Sequence, residues 1–514
     1  MRKMETYRPE IYSTKYVASS SSIYSSLSGA RILKEGGTVG DAAISMSAVL
    51  AVTQNNLCGL GGDSFIMGRS EGDIFVINGS GKSSRNAKSD IFLNRGLKNI
   101  PARGPLSAIN VPGLVKSWID LWNKNGTMEF RDLLADAINL AENGFPVTQN
   151  YVNSVNASYY EGMDSEWIKI FNPGQIRAGD LLIQKDLSRT LKTISEDPES
   201  FYSGELADKI VEGFRDKGIV IDEIDMKDHR SLMQNPLHVD FSGHTIYETP
   251  PNSQGSTLLV WLTLYEEYGG GNLRKFFKAG LESMEFRRSM IGDPEMLQLD
   301  QSYFQRGLGR NKNTVSGISN YREKEDGDTT YFTVANSEGD IISMIQSNYM
   351  GFGSLVIPSG TGFIMQNRGS YFSLDRKNHN FLEPQKRTFH TLAACIGMKD
   401  GLPAFSLGTM GGDVQPQVHA LLIKNMVENG MKAQKSVEEP RAVFPGTIYE
   451  SSDTLYFEEG FRGVEEIQDL FRSIKKIPYG DSRFGHAQVI RFLENGVLNG
   501  GADLRGDGYS IPGM

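Results

Sequence analysis

The stretch GDTTYFTVANSEGDIISMIQSNYM, residues 327–350, decides the fold. Two apolar runs, TTYFTVAN (329–336) and IISMIQS (341–347), flank Ser337-Glu338-Gly339-Asp340. Turn residues between two runs of alternating character read as an antiparallel hairpin. Thr329, Tyr331 and Thr333 then share one strand face, because side chains alternate along a strand. The same turn, SEGD, recurs at 70–73 between FIMGR and IFVIN. Lys399-Asp400-Gly401 and Glu494-Asn495-Gly496 mark two more hairpins, since Asp-Gly and Asn-Gly supply the positive φ of tight turns. Helical patterns stand among these hairpins. One runs from the serine cluster Ser19–Ser22, which suits an N-cap, to Gly36–Gly37. Asp41–Val52 is small and apolar, as in a buried helix. Leu114, Trp118, Leu121 and Trp122 follow the 3.6-residue period up to Gly126, with both tryptophans expected in the core. Residues 130–143 form another helix, closed by Gly144 and Pro146. Hairpins mixed with helices predict an α+β fold, not an alternating βαβ sheet.

The composition narrows the function. Hydrophobic residues make up 39% and charged residues 22% of the 514-residue chain, which excludes a disordered protein. The net charge of −9 argues against a general nucleic-acid or anionic-membrane binder. Cys58 and Cys395 alone cannot build a disulfide scaffold or a CxxC zinc site. The longest apolar stretches, Ala42–Val52 and Leu258–Tyr265, are too short to span a bilayer. The opening MRKMETYRPEIYSTKY has no apolar region behind its basic residues, so the expectation is a cytoplasmic protein. Between Gly309 and Asp328 the chain is polar, and a mobile loop there would feed into the strand at Thr329, a natural place for a chain break.

Most catalytic motifs are excluded. In IFVINGSGKSS a phosphate loop would need glycine where Val76 stands. The seven histidines make no HExxH or other metal spacing, so no metal and no cofactor are expected. No GxSxG elbow occurs. Two glycine clusters remain, Cys58–Ser64 (CGLGGDS) and Gly408–Asp413 (GTMGGD). Either is a turn or a place where main-chain N–H groups approach a ligand or an oxyanion.

These blocks, in order, resemble the γ-glutamyltranspeptidase family of N-terminal nucleophile hydrolases. The likeness covers residues 17–68, AINVPGLVKSW, LLADAINLAENGFPV, YETPPNSQGSTLL, DGDTTYFTVANSEGDIISMIQSNYMGFGS, FSLGTMGGDVQPQ, FGHAQVI and GGADLRGDG. The resemblance implies a single four-layer αββα sandwich, two antiparallel sheets between helical layers. It implies a precursor cut before Thr329, with segments 1–328 and 329–514 staying associated. Thr329 would be the nucleophile, its freed α-amine the base, Gly411 and Gly412 the oxyanion glycines, and Ser347 the hydroxyl residue touching the nucleophile. The implied partner is a small-molecule amide; a homo-oligomer is compatible with this reading.

The substrate residues depart from the transpeptidase pattern. Ser80 falls where that pattern has a carboxylate-binding arginine, and Tyr349 replaces its asparagine. The glutamine and aspartate that hold an α-amino group fall near Arg368 and Tyr371, and the serine pair near Lys386 and Arg387. An ammonium-binding carboxylate is lost and cationic groups are gained. A pocket of Tyr349, Arg368, Arg387 and His390 suits a carboxylate-bearing acyl group. The likeness is therefore nearer to acylase and amidohydrolase relatives. A true γ-glutamyl hydrolase or transferase, and an unprocessed non-catalytic relative, stay open.

Overall fold

The computed structural model describes residues 6–160, 163–297, 299–305, 327–444, 446 and 453–513. Apart from Gly327 and Asp328, the polar stretch from Gly309 to Asp328 lies outside them. All four expected hairpins form. In the first sheet the order is Tyr509–Pro512, Tyr16–Ser20, Gly327–Asn336, Ile341–Met350, Asp63–Ser70, Asp73–Gly79, Leu232–Gln234. In the second it is Ile11–Ser13, Leu498–Ala502, Ala487–Phe492, Leu402–Thr409, Cys395–Lys399, His244–Glu248, Leu237–Phe241. Every pairing within these two sheets is antiparallel. Strands from both sides of Thr329 interleave in each sheet.

Alternation builds the layers. Tyr331, Ala335 and Ile345 point between the sheets, where they meet Ala394, Ile396 and Ile490. Phe332, Val334 and Met344 point outward into a helical core. That core includes Val39–Thr53, every residue of which is buried, as its small apolar sequence predicts. Thr38 caps this helix reciprocally with Asp41. On the far side Ser256–Glu267 and Gln415–Val427 cover the second sheet. Helix, sheet, sheet, helix is the αββα order. One local reading needs correction. Ser22 does precede the Ile23–Lys34 helix, but its side chain makes no capping bond, and Ser19–Ser20 belong to a strand.

The first glycine cluster packs closely against the Gly327–Met350 hairpin and the segment at Ile364. A Cβ at Gly62 would lie 2.4 Å from Ser347 O, and one at Gly61 2.2 Å from Ile364 O. Only glycine lets that loop lie so near the end of the Ile341–Met350 strand.

Candidate active site

Thr329 lies where the hairpin register slips. Asp328 faces Tyr349 but Thr330 faces Gln346, so Ser347 and Asn348 together oppose Thr329. Such a bulge re-aims side chains. Thr329 Oγ1 donates to Ser347 Oγ at 3.2 Å, and Ser347 Oγ also accepts the Tyr349 N–H at 2.8 Å. That bond holds Tyr349 at φ +83, a left-handed conformation rare for an aromatic residue. Thr329 is 1% exposed.

Tyr349 turns its ring under Arg368, whose guanidinium carbon sits 4.3 Å from the ring centroid. Tyr349 packs edge-on to Tyr371, and Tyr371 stacks on Phe389. Arg368 is fully buried. Its Nη1 donates to Thr391 Oγ1 at 3.1 Å, while Nε and Nη2 have no hydrogen-bond partner. No acid stands within ion-pair distance of it among the described residues. Burial lowers its pKa, opposed in part by Tyr349 and Asp63. Buried arginines are normally paired, so a guanidinium left like this awaits an anion.

Beside it lies a buried pair. His390 Nε2 is 3.1 Å from Asp63 Oδ2, and the Leu392 N–H donates to His390 Nδ1. The ring is therefore neutral with its proton on Nε2; burial and then Arg368 keep its pKa well below the usual value. Asp63 Oδ1 accepts from Gln366 Nε2 and the Gly81 N–H. Burial pushes the Asp63 carboxyl up to about 7, against the pull of Gln366, Arg368 and Arg387.

Gly411 and Gly412 adopt φ +121 and +55, and the turn Gly412–Val414 packs on the strand carrying Thr329. Consecutive positive-φ glycines turn main-chain N–H groups inward, which suits an oxyanion. Gln254 fixes this turn from behind, with Nε2 donating to Gly412 O and Thr391 O. Arg287 donates to Gln254 Oε1 and pairs with Asp413 at 2.9 Å, and Asp413 accepts the Tyr371 hydroxyl. One network thus ties the glycine turn to the aromatic wall and to Thr391.

Of the residues expected from sequence, Thr329, Ser347, Tyr349, Arg368, His390, Gly411 and Gly412 come together. Arg387 stands apart: its Nε donates to Ser80 O and its Nη2 to Arg230 O. Lys386 reaches Glu383 and His379 O. Sequence reasoning also missed Asp63, Gln254, Thr391 and Asn348. Both amide atoms of Asn348 are buried without a partner directly opposite Thr329. Asp63 and Gln254 lie inside quoted blocks, CGLGGDS and YETPPNSQGSTLL, and only their partners reveal them. A cleft of about 690 Å³ reaches Gly351 and Met410, but Thr329, Arg368, His390, Gly411 and Gly412 do not line it.

Comparison with known proteins now decides the family. A family model described as Gamma-glutamyltranspeptidase matches residues 25–513. The chain belongs to the γ-glutamyltranspeptidase family. Within that family it is 34% identical to the glutathione hydrolase-like YwrD proenzyme of Bacillus subtilis, over 98% of this chain and 99% of that one. It is 31% identical to the oxamate amidohydrolase proenzyme of Klebsiella pneumoniae, over 94% and 96%. The crystal structure of cephalosporin acylase from Bacillus halodurans superposes with a TM-score of 0.87 at 28% identity, covering 100% of this chain and 99% of that one. The chain is thus an N-terminal nucleophile hydrolase of the γ-glutamyltranspeptidase family, with amidohydrolase and acylase relatives.

Proposed function

We propose that this chain is a self-processing amidase whose nucleophile is Thr329 and whose substrates are small amides with a carboxylate on the acyl half. The carrying observation is the buried Arg368 guanidinium with two unpartnered nitrogens and, among the described residues, no acid within ion-pair distance. A planar fork of donors fits a carboxylate two-pronged. An α-ammonium, by contrast, would meet this cation without a free acid to offset it.

The chemistry follows from the geometry. A threonine hydroxyl is a weak nucleophile and needs a base. Cutting the Asp328–Thr329 bond frees an α-amine of pKa roughly 7.7–8.0, already beside the hydroxyl. The amine accepts the hydroxyl proton as Oγ attacks the substrate carbonyl. Negative charge grows on the carbonyl oxygen, where the Gly411 and Gly412 N–H groups would meet it. One such donor typically contributes about 2.7–4 kcal/mol. Collapse expels the amine half, which takes the proton, and leaves an ester on Thr329. Water attacks that ester and releases the acid; a second amine in place of water gives transfer.

The test is a substrate panel at equal concentration: oxamyl, succinyl and glutaryl amides against the γ-glutamyl amide of the same amine. The carboxylate-ended groups without an α-amine should turn over faster. Equal or faster γ-glutamyl turnover would return the protein to the glutathione-hydrolase reading.

The Asp63 carboxyl adds a pH signature. Below pH about 7 it is neutral and the Arg368 charge is uncompensated. Above that, an ionised Asp63 takes part of the Arg368 field, and a substrate carboxylate binds less well. KM for a carboxylate-ended amide should therefore rise as pH passes 7, while kcat climbs with deprotonation of the Thr329 amine. Asp63→Asn cannot ionise, so its KM should stay flat from about pH 6 to 8. A flat wild-type KM over that range would remove Asp63 from this role.

A further inference from the structure

Behind the site lies a second cavity of about 200 Å³, lined by Lys82, His229, Arg230, Glu295 and Arg387 together with Asp225 and Asp228. One peptide group separates it from the substrate pocket. The Ser80 carbonyl accepts from Arg387 Nε, and the Gly81 N–H donates to Asp63. In a trans peptide these two groups point opposite ways. Arg387 therefore serves the rear cavity and Asp63 the front one.

Two side-chain nitrogens on the cavity wall are buried and make no hydrogen bond; one of them, on Arg387, has only a long ion pair to the half-exposed Glu295. His229 is 5% exposed, its ring is stacked on Tyr202, and Nε2 has no hydrogen-bond partner. Arg387 is 2% exposed, and Nη1 likewise has no hydrogen bond; Glu295 Oε1 lies 3.6 Å away. The acids of the wall have other partners. Asp225 accepts from Ser84, Arg85 and Gln385, and Asp228 pairs with Arg85. Glu295 pairs with Lys82, and its side chain is half exposed at the cavity edge. What the cavity offers inward is N–H groups in need of acceptors. The field at His229 is positive as well: burial first, then Arg387, Lys116, Arg230 and Lys82, hold its pKa down to about 3. The ring is neutral and has one N–H, which an oxyanion in the cavity would draw to Nε2.

We propose that this rear cavity binds a small oxyanion, a carboxylate or a phosphate, through His229 Nε2 and Arg387 Nη1. The space is below the roughly 300 Å³ at which drug-sized ligand pockets begin, so a nucleotide does not fit.

The test is isothermal titration of the full-length enzyme with sodium phosphate and with sodium acetate, at fixed ionic strength set by chloride. Saturable binding of one of the two is expected, and the tighter one identifies the source. His229→Phe keeps the stacking on Tyr202 and removes the donor; Kd should rise about tenfold, the loss of one such bond to a charged group. Glu295→Gln removes the competing acid, and Kd should fall several-fold. The two variants bear on opposite signs, so a folding defect in one cannot imitate the pair. No saturable heat with either anion overturns the proposal. So does an unchanged Kd in both variants, which would mean an adventitious ion only.

Discussion

Thr329→Ala should yield one uncleaved polypeptide and lose roughly 10⁴-fold or more of the amidase turnover, the scale on which loss of a nucleophile acts. Both losses come from one atom. In the proposed mechanism Oγ1 attacks the upstream carbonyl during processing and the substrate carbonyl afterwards. Ser347, 3.2 Å from the Thr329 hydroxyl in the wild type, does not substitute for it, because no amine is freed beside it. Thr329→Ser retains the attacking oxygen and should still be cut, more slowly, since it lacks the methyl group that restricts χ1. Denaturing electrophoresis reads the first effect, and intact mass locates the cut to the 328–329 bond. Turnover at wild-type rate from material whose Thr329 is still acylated would end the mechanism.

The hairpins were legible because their chemistry is local: Gly and Asp in SEGD fix the turn, and the flanking alternation fixes which face is buried. Thr329 and Ser347 lie on one such hairpin, but local chemistry did not single them out; only the family resemblance did. The serine run 19–22 was harder to read. Serines suit helix caps, but here Ser19 is buried in a strand, its hydroxyl bonded to Ser510 and to Gly501 O from the far end of the chain. Tertiary partners overrode the local preference. The substrate pocket shows the same limit more sharply. Asp63 and His390 meet across 327 positions of sequence. Arg368 and Arg387 look alike as basic residues in polar segments. What separates them is where carbonyls and rings lie in space: Ser80 O and Arg230 O draw one head group back, while Tyr349 and Thr391 hold the other forward.

Arg368→Met separates a functional cation from a structural one. If the guanidinium holds the substrate carboxylate, its loss leaves that carboxylate buried and unpaired, at about 3–4 kcal/mol. That is roughly 10²–10³-fold in kcat/KM, carried mainly by KM and confined to carboxylate-ended amides. Stability should move the other way. In the unliganded protein Arg368 is a buried charge that makes one hydrogen bond and no ion pair, and burial disfavours its charged form. Methionine fills similar length against Tyr349 and Tyr371 without that desolvation cost. The denaturation midpoint should therefore rise in the variant that has lost activity. A structural arginine, tying Thr391 to the aromatic wall, would give the reverse: a lower midpoint and an equal loss on every amide. Asp63 sharpens the distinction. With Arg368 gone, one of the attractions that oppose its burial disappears, and its carboxyl should titrate still higher. A raised midpoint with a selective KM defect fits only a site in which the protein carries an unpaired charge so that the substrate can supply its partner.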